Sequence, residues 1–232
     1  LYGAMTADWG DVQPNDDFGC DMNDLSDLAI DVYDNAMFII ALDYLLEMAP
    51  DSPQASRWKS LREGIERNVR AHLWDVKRQK FIPHIYPEKS PIPEGFDELA
   101  IHYHGGTAIA IEAGLLSKDE IRTVNAQMLE NVRLSGMPSI GLTLYPVYPD
   151  GFFYGGMSKA YLYQNGGDWT WFGGRMIQQL VVNGMVEEAY AEIHPMIERV
   201  IQNDGFYEWY GKGGVPSGSG NFKGSAGVLS KA

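Results

Sequence analysis

Apolar positions along the chain alternate between two textures. From Leu28 to Met48 they lie on nearly every side, and Ala36-Met37-Phe38-Ile39-Ile40-Ala41-Leu42 carries no polar residue. A helix of that kind is predicted to be buried all round. Asp51-Ser52-Pro53 follows as a turn, with Ser52 expected as a cap and Pro53 at a first helical position. The next segment, to about Trp74, is amphipathic: Trp58, Leu61, Ile65, Val69 and His72 share one face, with Arg, Lys and Glu between them. The alternation then returns twice. Leu99 to Leu115 is apolar and rich in Gly and Ala, and Ser117 with Glu120 forms a Ser-x-x-Glu capping box for an amphipathic helix to Leu134. Trp171 to Val182 is mostly apolar, Met185 to Gln202 is amphipathic, and a seventh helix is predicted from about Asn221.

The links between these segments are unequal. From a buried helix to its amphipathic partner only a few residues are needed. From the amphipathic helix to the next buried one the chain spends long stretches, about Asp75 to Glu98, Ser135 to Thr170 and Asn203 to Gly220. This pattern predicts an all-α fold with an inner and an outer ring of helices and all long loops on one face. The opening stretch, Leu1 to Asp27, precedes a buried helix and is expected to join that face. Helical solenoids also stack helix pairs, but their repeats run near 34–47 residues, whereas the spacing here is about 70, which favours a toroid. Long loops gathered at one end of a rigid scaffold are where function is normally carried.

Composition narrows the classes. A formal net charge of -13 argues against nucleic-acid binding, and no basic cluster is present to dock on anionic lipid. No apolar run reaches the roughly 18 residues of a membrane span. A single cysteine, Cys20, excludes an intrachain disulfide and a thiolate metal cluster and leaves the compartment open. The chain begins at Leu1 rather than Met and stops at Ala232 inside what reads as a helix, so it is expected to be part of a longer protein. No metal or cofactor is called for: the acidic residues of the opening stretch do not match a calcium loop, His102 and His104 lack the i, i+4 spacing of a helical metal pair and are expected to be hydrogen-bonded structural residues, and no P-loop, Rossmann or GxSxG pattern occurs.

The chemistry sits in three loop stretches. Asp8 and Asp11 flank Trp9, a setting in which a neighbouring carboxylate and an apolar wall raise the pKa of a general acid; a surface acidic loop is the plainer alternative. Glu208 lies between Tyr207 and Trp209, with Tyr210 beyond, ahead of a Gly-rich run to Gly220. It is a candidate base beneath a loop that folds over a ligand; a flexible surface segment is the alternative, which the clustered rings argue against. Tyr163, Gln164, Asn165, Asp168, Trp169 and Trp171 combine amide, carboxylate and indole groups, suited to hydroxyls and to the apolar face of a sugar. Equally, Trp169 and Trp171 suit a core, with Asp168 or Thr170 capping the next helix and Arg175 pairing with Asp168. Phe81 to Tyr86 with His84, and Tyr145, Tyr148 and Phe152 to Tyr154, are further candidates for lining a cleft. Two carboxylates on the loops of a helical scaffold among aromatic rings are the parts of a glycosidic-bond-cleaving site.

Ala7-Asp8-Trp9-Gly10-Asp11 resembles the Ala-Asp-Trp-Asn-Asp segment of cellobiose and chitobiose phosphorylases, and Tyr163-Gln164-Asn165-Gly166-Gly167 resembles their Tyr-Gln-Asn-Gly-Gly segment. Glu208 through Ser225-Ala226-Gly227 looks like the trehalase and α-glucosidase pattern, a Glu followed by a Gly-rich stretch and then Phe, Ser and Ala. All belong to the six-hairpin glycosidases, a group that also includes the amylo-α-1,6-glucosidases. The resemblance implies an (α/α)6 toroid, of which residues 1–232 would be the C-terminal part of a single catalytic domain. It implies an inverting glycoside hydrolase, exo-acting on α-glucosides or related oligosaccharides. Asp11 would be the general acid, Asp8 a supporting acid and Glu208 the general base, and the partner would be an oligosaccharide or glycoside. Gly10 stands where the phosphorylases have Asn, and the Trp-Asp order differs from that of trehalases. A disaccharide phosphorylase and a non-catalytic carbohydrate-binding protein of the same fold are the alternatives.

Overall fold

The computed structural model describes residues 1–2, 4–5, 24 and 27–232. The candidates Asp8, Trp9 and Asp11, with Cys20, lie outside the described residues. Helices dominate: α1 (Val32–Met48), α2 (Ala55–His72), α3 (His104–Glu112), α4 (Lys118–Ser135), α5 (Thr170–Val182), α6 (Val186–Gln202) and α7 (Lys223–Leu229). They form three antiparallel hairpins, α1–α2, α3–α4 and α5–α6, followed by α7. The inner helices pack in sequence, α1 on α3, α3 on α5 and α5 on α7, while α2, α4 and α6 lie outside them. This is the partial helical toroid that the alternation of apolar and amphipathic segments predicts.

Burial follows the same division. Every residue of α3 from His104 to Ile111 is buried, whereas α2 buries only Ile65 and Val69. One contiguous core joins Ile39 of α1, Val69 of α2, Ile109 of α3, Val124 of α4, Phe172 and Met176 of α5 and Met196 of α6. Each large apolar side chain removed from water there contributes about 1.5–3 kcal/mol. Close approach of the inner helices depends on two glycines. A Cβ on Gly105 of α3 would lie 2.7 Å from the Phe172 ring of α5, and one on Gly174 of α5 would lie 2.8 Å from Val228 of α7.

Helix termini explain where the chain departs from its apolar pattern. Ser117 caps α4 as expected: its Oγ accepts the Glu120 N–H, and Glu120 Oε2 accepts the Ser117 N–H at 2.9 Å. At α1 the helix starts only at Val32, because Asp31 takes the cap and accepts the Asp34 N–H at 2.8 Å. Leu28–Ala29 is instead a short strand, β2, paired with β1 (Ala4–Met5). Ser52 accepts the Gln54 N–H at 3.2 Å, so it and Pro53 build the turn before α2 rather than its first positions. Leu99 to Tyr103 is not α-helical either; a 3-10 turn spans Glu98–Ala100, and His102–Tyr103 forms a strand.

The long links, 73–103, 136–169 and 203–222, all run from the end of an outer helix to the start of an inner one, so they gather at the N-terminal ends of the inner helices. Two short antiparallel hairpins lie within them, β3 (Trp74–Asp75) with β4 (Lys80–Phe81) and β7 (Trp209–Tyr210) with β8 (Pro216–Ser217). A third pair, β5 (His102–Tyr103) with β6 (Leu144–Tyr145), ties the first long link to the second. Ile30 exchanges hydrogen bonds with Ile85, and Asp168 with Tyr210. Each link is thus stitched to the next around the rim.

Candidate active site

The local geometry of Glu208 comes from the β7–β8 hairpin. Its backbone N–H donates to the Ser219 carbonyl at 2.9 Å, and its Oε2 accepts the Ser219 N–H at 3.2 Å. The backbone at Gly218 turns there with φ +69, and a Cβ at that position would fall 2.7 Å from the Glu208 Cβ. Only glycine lets the segment turn left-handed and press this closely on the side chain. Glu208 is half-buried, and among the described residues it has no Lys or Arg within ion-pair distance. One carboxylate oxygen is therefore oriented by a peptide N–H while the other remains for a ligand.

A series of rings runs from the residue after Glu208 toward the inner helices. Trp209, half-buried, meets Tyr163 edge-on at 6.2 Å, Tyr163 meets Trp169 at 5.1 Å, and Trp169 meets Phe222 at 6.2 Å. Tyr163 holds a left-handed backbone, φ 49, and its carbonyl accepts both the Gly167 N–H and the Trp169 indole N–H. Trp171 points elsewhere: it lines a cavity of about 490 Å³ among α1, α3, α5 and α7, with Arg175 4.7 Å above its ring. Arg175 pairs with Glu112 at 2.7 Å across that cavity. The expected pairing of Arg175 with Asp168 is therefore replaced.

Asp168 belongs to the foundation of the rim. Its carboxylate is fully buried, 2.7 Å from Arg199 Nη1, and it accepts the Ser139 hydroxyl at 2.6 Å. Arg199 also donates to Thr170 Oγ1 at 2.7 Å and lies 4.0 Å over the Tyr210 ring, itself buried. Burial pushes the Asp168 carboxyl up, against the pull of Arg199 and Ser139. The group braces three parts of the chain and is closed to solvent. Asn165 is equally committed: its amide exchanges hydrogen bonds with the Tyr148 backbone at 2.9 and 3.1 Å. Gln164 is buried beside it, and Trp169 is 2% exposed. Tyr207 is half-buried, its ring 6.1 Å from Tyr210 and its carbonyl accepting the Ser225 hydroxyl. Of the candidates in these two loop stretches, Glu208, Trp209, Tyr163 and Tyr207 keep accessible surface, Trp171 faces the other cavity, and Gln164, Asn165, Asp168, Trp169 and Tyr210 are buried.

The structure also brings together His84, Tyr86 and Tyr148 around Glu98, a residue with no local sequence signal. Glu98 Oε1 accepts from Tyr86 at 2.7 Å and Tyr148 at 2.8 Å and lies 2.7 Å from His84 Nδ1. Burial works to raise the Glu98 carboxyl, but these partners outweigh it and hold it below its ordinary value. Tyr103 adds its hydroxyl to Tyr148 at 3.1 Å, and Tyr148 packs with Phe96, Phe152 and Phe153. The stretches around His84 and Tyr148, candidates for lining a cleft, thus clamp the first long link to the second. Asp31 is nearly fully buried at the start of α1, and burial, then the Asp34 carboxylate, push its carboxyl up to about 7. His102 and His104 are structural, as expected. His102 Nε2 contacts Thr107 Oγ1 at 3.1 Å and His104 Nε2 contacts Asn131 at 2.9 Å. Burial drives His104 down to about 3, so it is neutral.

No protein-family model matches the chain, and no curated protein matches it by sequence. Solved structures do match. The GH63 mannosylglycerate hydrolase from Thermus thermophilus, in complex with Tris and D-glycerate, superposes with a TM-score of 0.64 at 15% identity, over 88% of this chain and 45% of that one. The same hydrolase in complex with glucose gives 0.66 at 15% identity, over 89% and 46%. An uncharacterized conserved protein of the same organism gives 0.67 at 15%, over 89% and 47%. The chain therefore spans less than half the length of these proteins and shares the helical toroid fold of that part. Among the described residues no helix is long and apolar enough to cross a membrane.

Proposed function

We propose that the protein hydrolyses a glycosidic bond with inversion, that residues 1–232 form part of its catalytic toroid, and that Glu208 is its general base. The observation that carries this reading is the setting of Glu208: a half-buried carboxylate on the loop face, aimed by the Ser219 N–H and followed in the chain by Trp209, whose ring meets Tyr163. In that role the Glu208 carboxylate accepts a proton from water as the water oxygen bonds to the anomeric carbon. The glycosidic C–O bond breaks on the opposite face, and its oxygen takes a proton from a carboxylic acid. Asp11, by its resemblance to the six-hairpin glycosidases, is that acid, with Asp8 in support. Trp9, Trp209, Tyr163 and Tyr207 shape the sugar subsite, since rings of this kind cover the apolar face of a pyranose. The substrate class is an α-glucoside or a related small glycoside. A fold neighbour that is a mannosylglycerate hydrolase, and that binds glucose, is in keeping with that class.

The test uses the full-length protein with α-linked glucose disaccharides and with mannosylglycerate. Proton NMR of the first-formed sugar should show the anomer opposite to that of the substrate. Glu208→Gln should cut turnover by about 10²–10⁴-fold while circular dichroism stays unchanged. Unchanged turnover removes Glu208 from the mechanism, and strict dependence on added phosphate makes the enzyme a phosphorylase instead.

A further inference from the structure

A cleft of about 370 Å³ opens between the first two long links, at the β3–β4 hairpin, and α4. Arg78, Lys80, His102, Gln127, Asn131 and Tyr145 line it. None of these surrounds Glu208. In a chain with a net charge of -13, a cleft with two cations and a histidine is out of character.

Lys80 is the unusual member. It is 6% exposed, its ammonium donates to the Ile101 carbonyl, and among the described residues no carboxylate forms an ion pair with it. A buried cation without a counter-charge is unfavourable unless something supplies one. Burial, then the neighbouring Arg78, lower the Lys80 amine to about 8, only partly offset by Asp75 and Asp97. Arg78 is drawn on by Asp75 at 2.8 Å but keeps nearly half of its side chain exposed at the cleft. Burial, then the His104 ring and the Lys80 charge, hold His102 well below its ordinary value. Lys80 and His102 are thus both pressed toward their neutral forms, in part by neighbouring positive charge, and an anion would relieve that pressure.

We propose that this cleft binds a phosphate group, free or carried on a sugar ester. Its two cationic side chains suit the roughly −1.5 to −2 charge of a phosphate near neutrality better than a single carboxylate. Arg78 offers the guanidinium N–H groups that Asp75 leaves free, and Lys80 a point charge from the buried side.

Isothermal titration of the full-length protein with inorganic phosphate, glucose 6-phosphate and acetate at matched ionic strength tests this. Phosphate should bind with a dissociation constant of about 1 mM, weakened tenfold or more in Arg78→Gln, as expected for loss of a charged hydrogen bond. Lys80→Met should abolish binding; if that variant does not fold, Arg78→Gln decides alone, since Arg78 sits at the surface. Glycoside hydrolysis by Arg78→Gln should be unchanged, which separates this cleft from the site around Glu208. Tighter binding of glucose 6-phosphate identifies an ester as the ligand, and equal or weaker binding identifies free phosphate. The proposal is overturned if wild type binds no phosphate by about 20 mM, if Arg78→Gln binds it undiminished, or if acetate binds as tightly.

Discussion

Replacing Glu192 with Gln should stabilise the protein at pH 8 and change little at pH 4.5. Glu192 sits on α6, 6% exposed, in an apolar groove of about 300 Å³ between α4 and α6 that Leu129, Val132 and Ile140 also line. Its Oε1 accepts the Asn125 amide at 2.7 Å, while its Oε2 is buried with no hydrogen-bond partner. Burial is the main force raising its carboxyl from 4.5 to about 7; Glu188 adds to it and the Asn125 bond opposes it. The folded protein therefore holds a proton that the unfolded chain releases as pH climbs from 4.5 to 7. Stability from this group is full below that interval, is lost across it, and levels off above it. At about 1.4 kcal/mol per pH unit the interval corresponds to roughly 3 kcal/mol, and the near-complete burial leaves little solvent screening to reduce it. Gln, neutral at every pH and shaped like the protonated acid, avoids the loss. Urea denaturation of wild type and Glu192→Gln at pH 4.5 and pH 8 measures the difference. A stability gap that is the same at both pH values, or a Gln variant less stable at pH 8, refutes the argument.

Two further substitutions probe the rim. Arg199→Met leaves the Asp168 carboxylate buried without its cation and removes the ring contact to Tyr210, so it should cost about 3–5 kcal/mol in denaturant unfolding. A loss below about 1 kcal/mol would mean that the Ser139 hydroxyl alone satisfies Asp168. Gly218→Ala forces a Cβ against Glu208, whereas Gly213, at φ 70, has no atom within 4 Å of its would-be Cβ. Both alanines strain the backbone, but only Gly218→Ala should displace the carboxylate and lower hydrolysis, by about 10²-fold. Equal activity of the two variants would detach Glu208 from the reaction.

Sequence periodicity reads the helices well because each inner helix is apolar over its own length and each outer one carries a single stripe. It misjudges boundaries wherever a distant segment intervenes. Leu99 to Tyr103 leads into a buried helix, yet the backbone of His102 and Tyr103 is claimed by Tyr145 and Leu144. Asp168, flanked by amides and indoles, has the local look of a hydroxyl-binding group. What decides its role is Arg199, a full helix away, and nothing near residue 168 signals that pairing. Glu98 meets His84, Tyr86 and Tyr148 only because two long links fold together. The setting of Glu208 is legible for the opposite reason: the rings beside it and the glycines after it are adjacent in the chain, so its surroundings are local.

The stitching of each long link to the next bears on how such a rim can be altered. Because β5 borrows its partner from the second link, and Tyr210 of the third link borrows its partner from the end of the second, no link is a self-contained cassette. Transplanting the second link from a distant toroid would strip hydrogen bonds from both of its neighbours at once. In the proposed sugar subsite, new specificities are therefore more accessible through side-chain changes at positions such as Tyr163, Tyr207 and Trp209, which leave the backbone pairing intact, than through loop exchange.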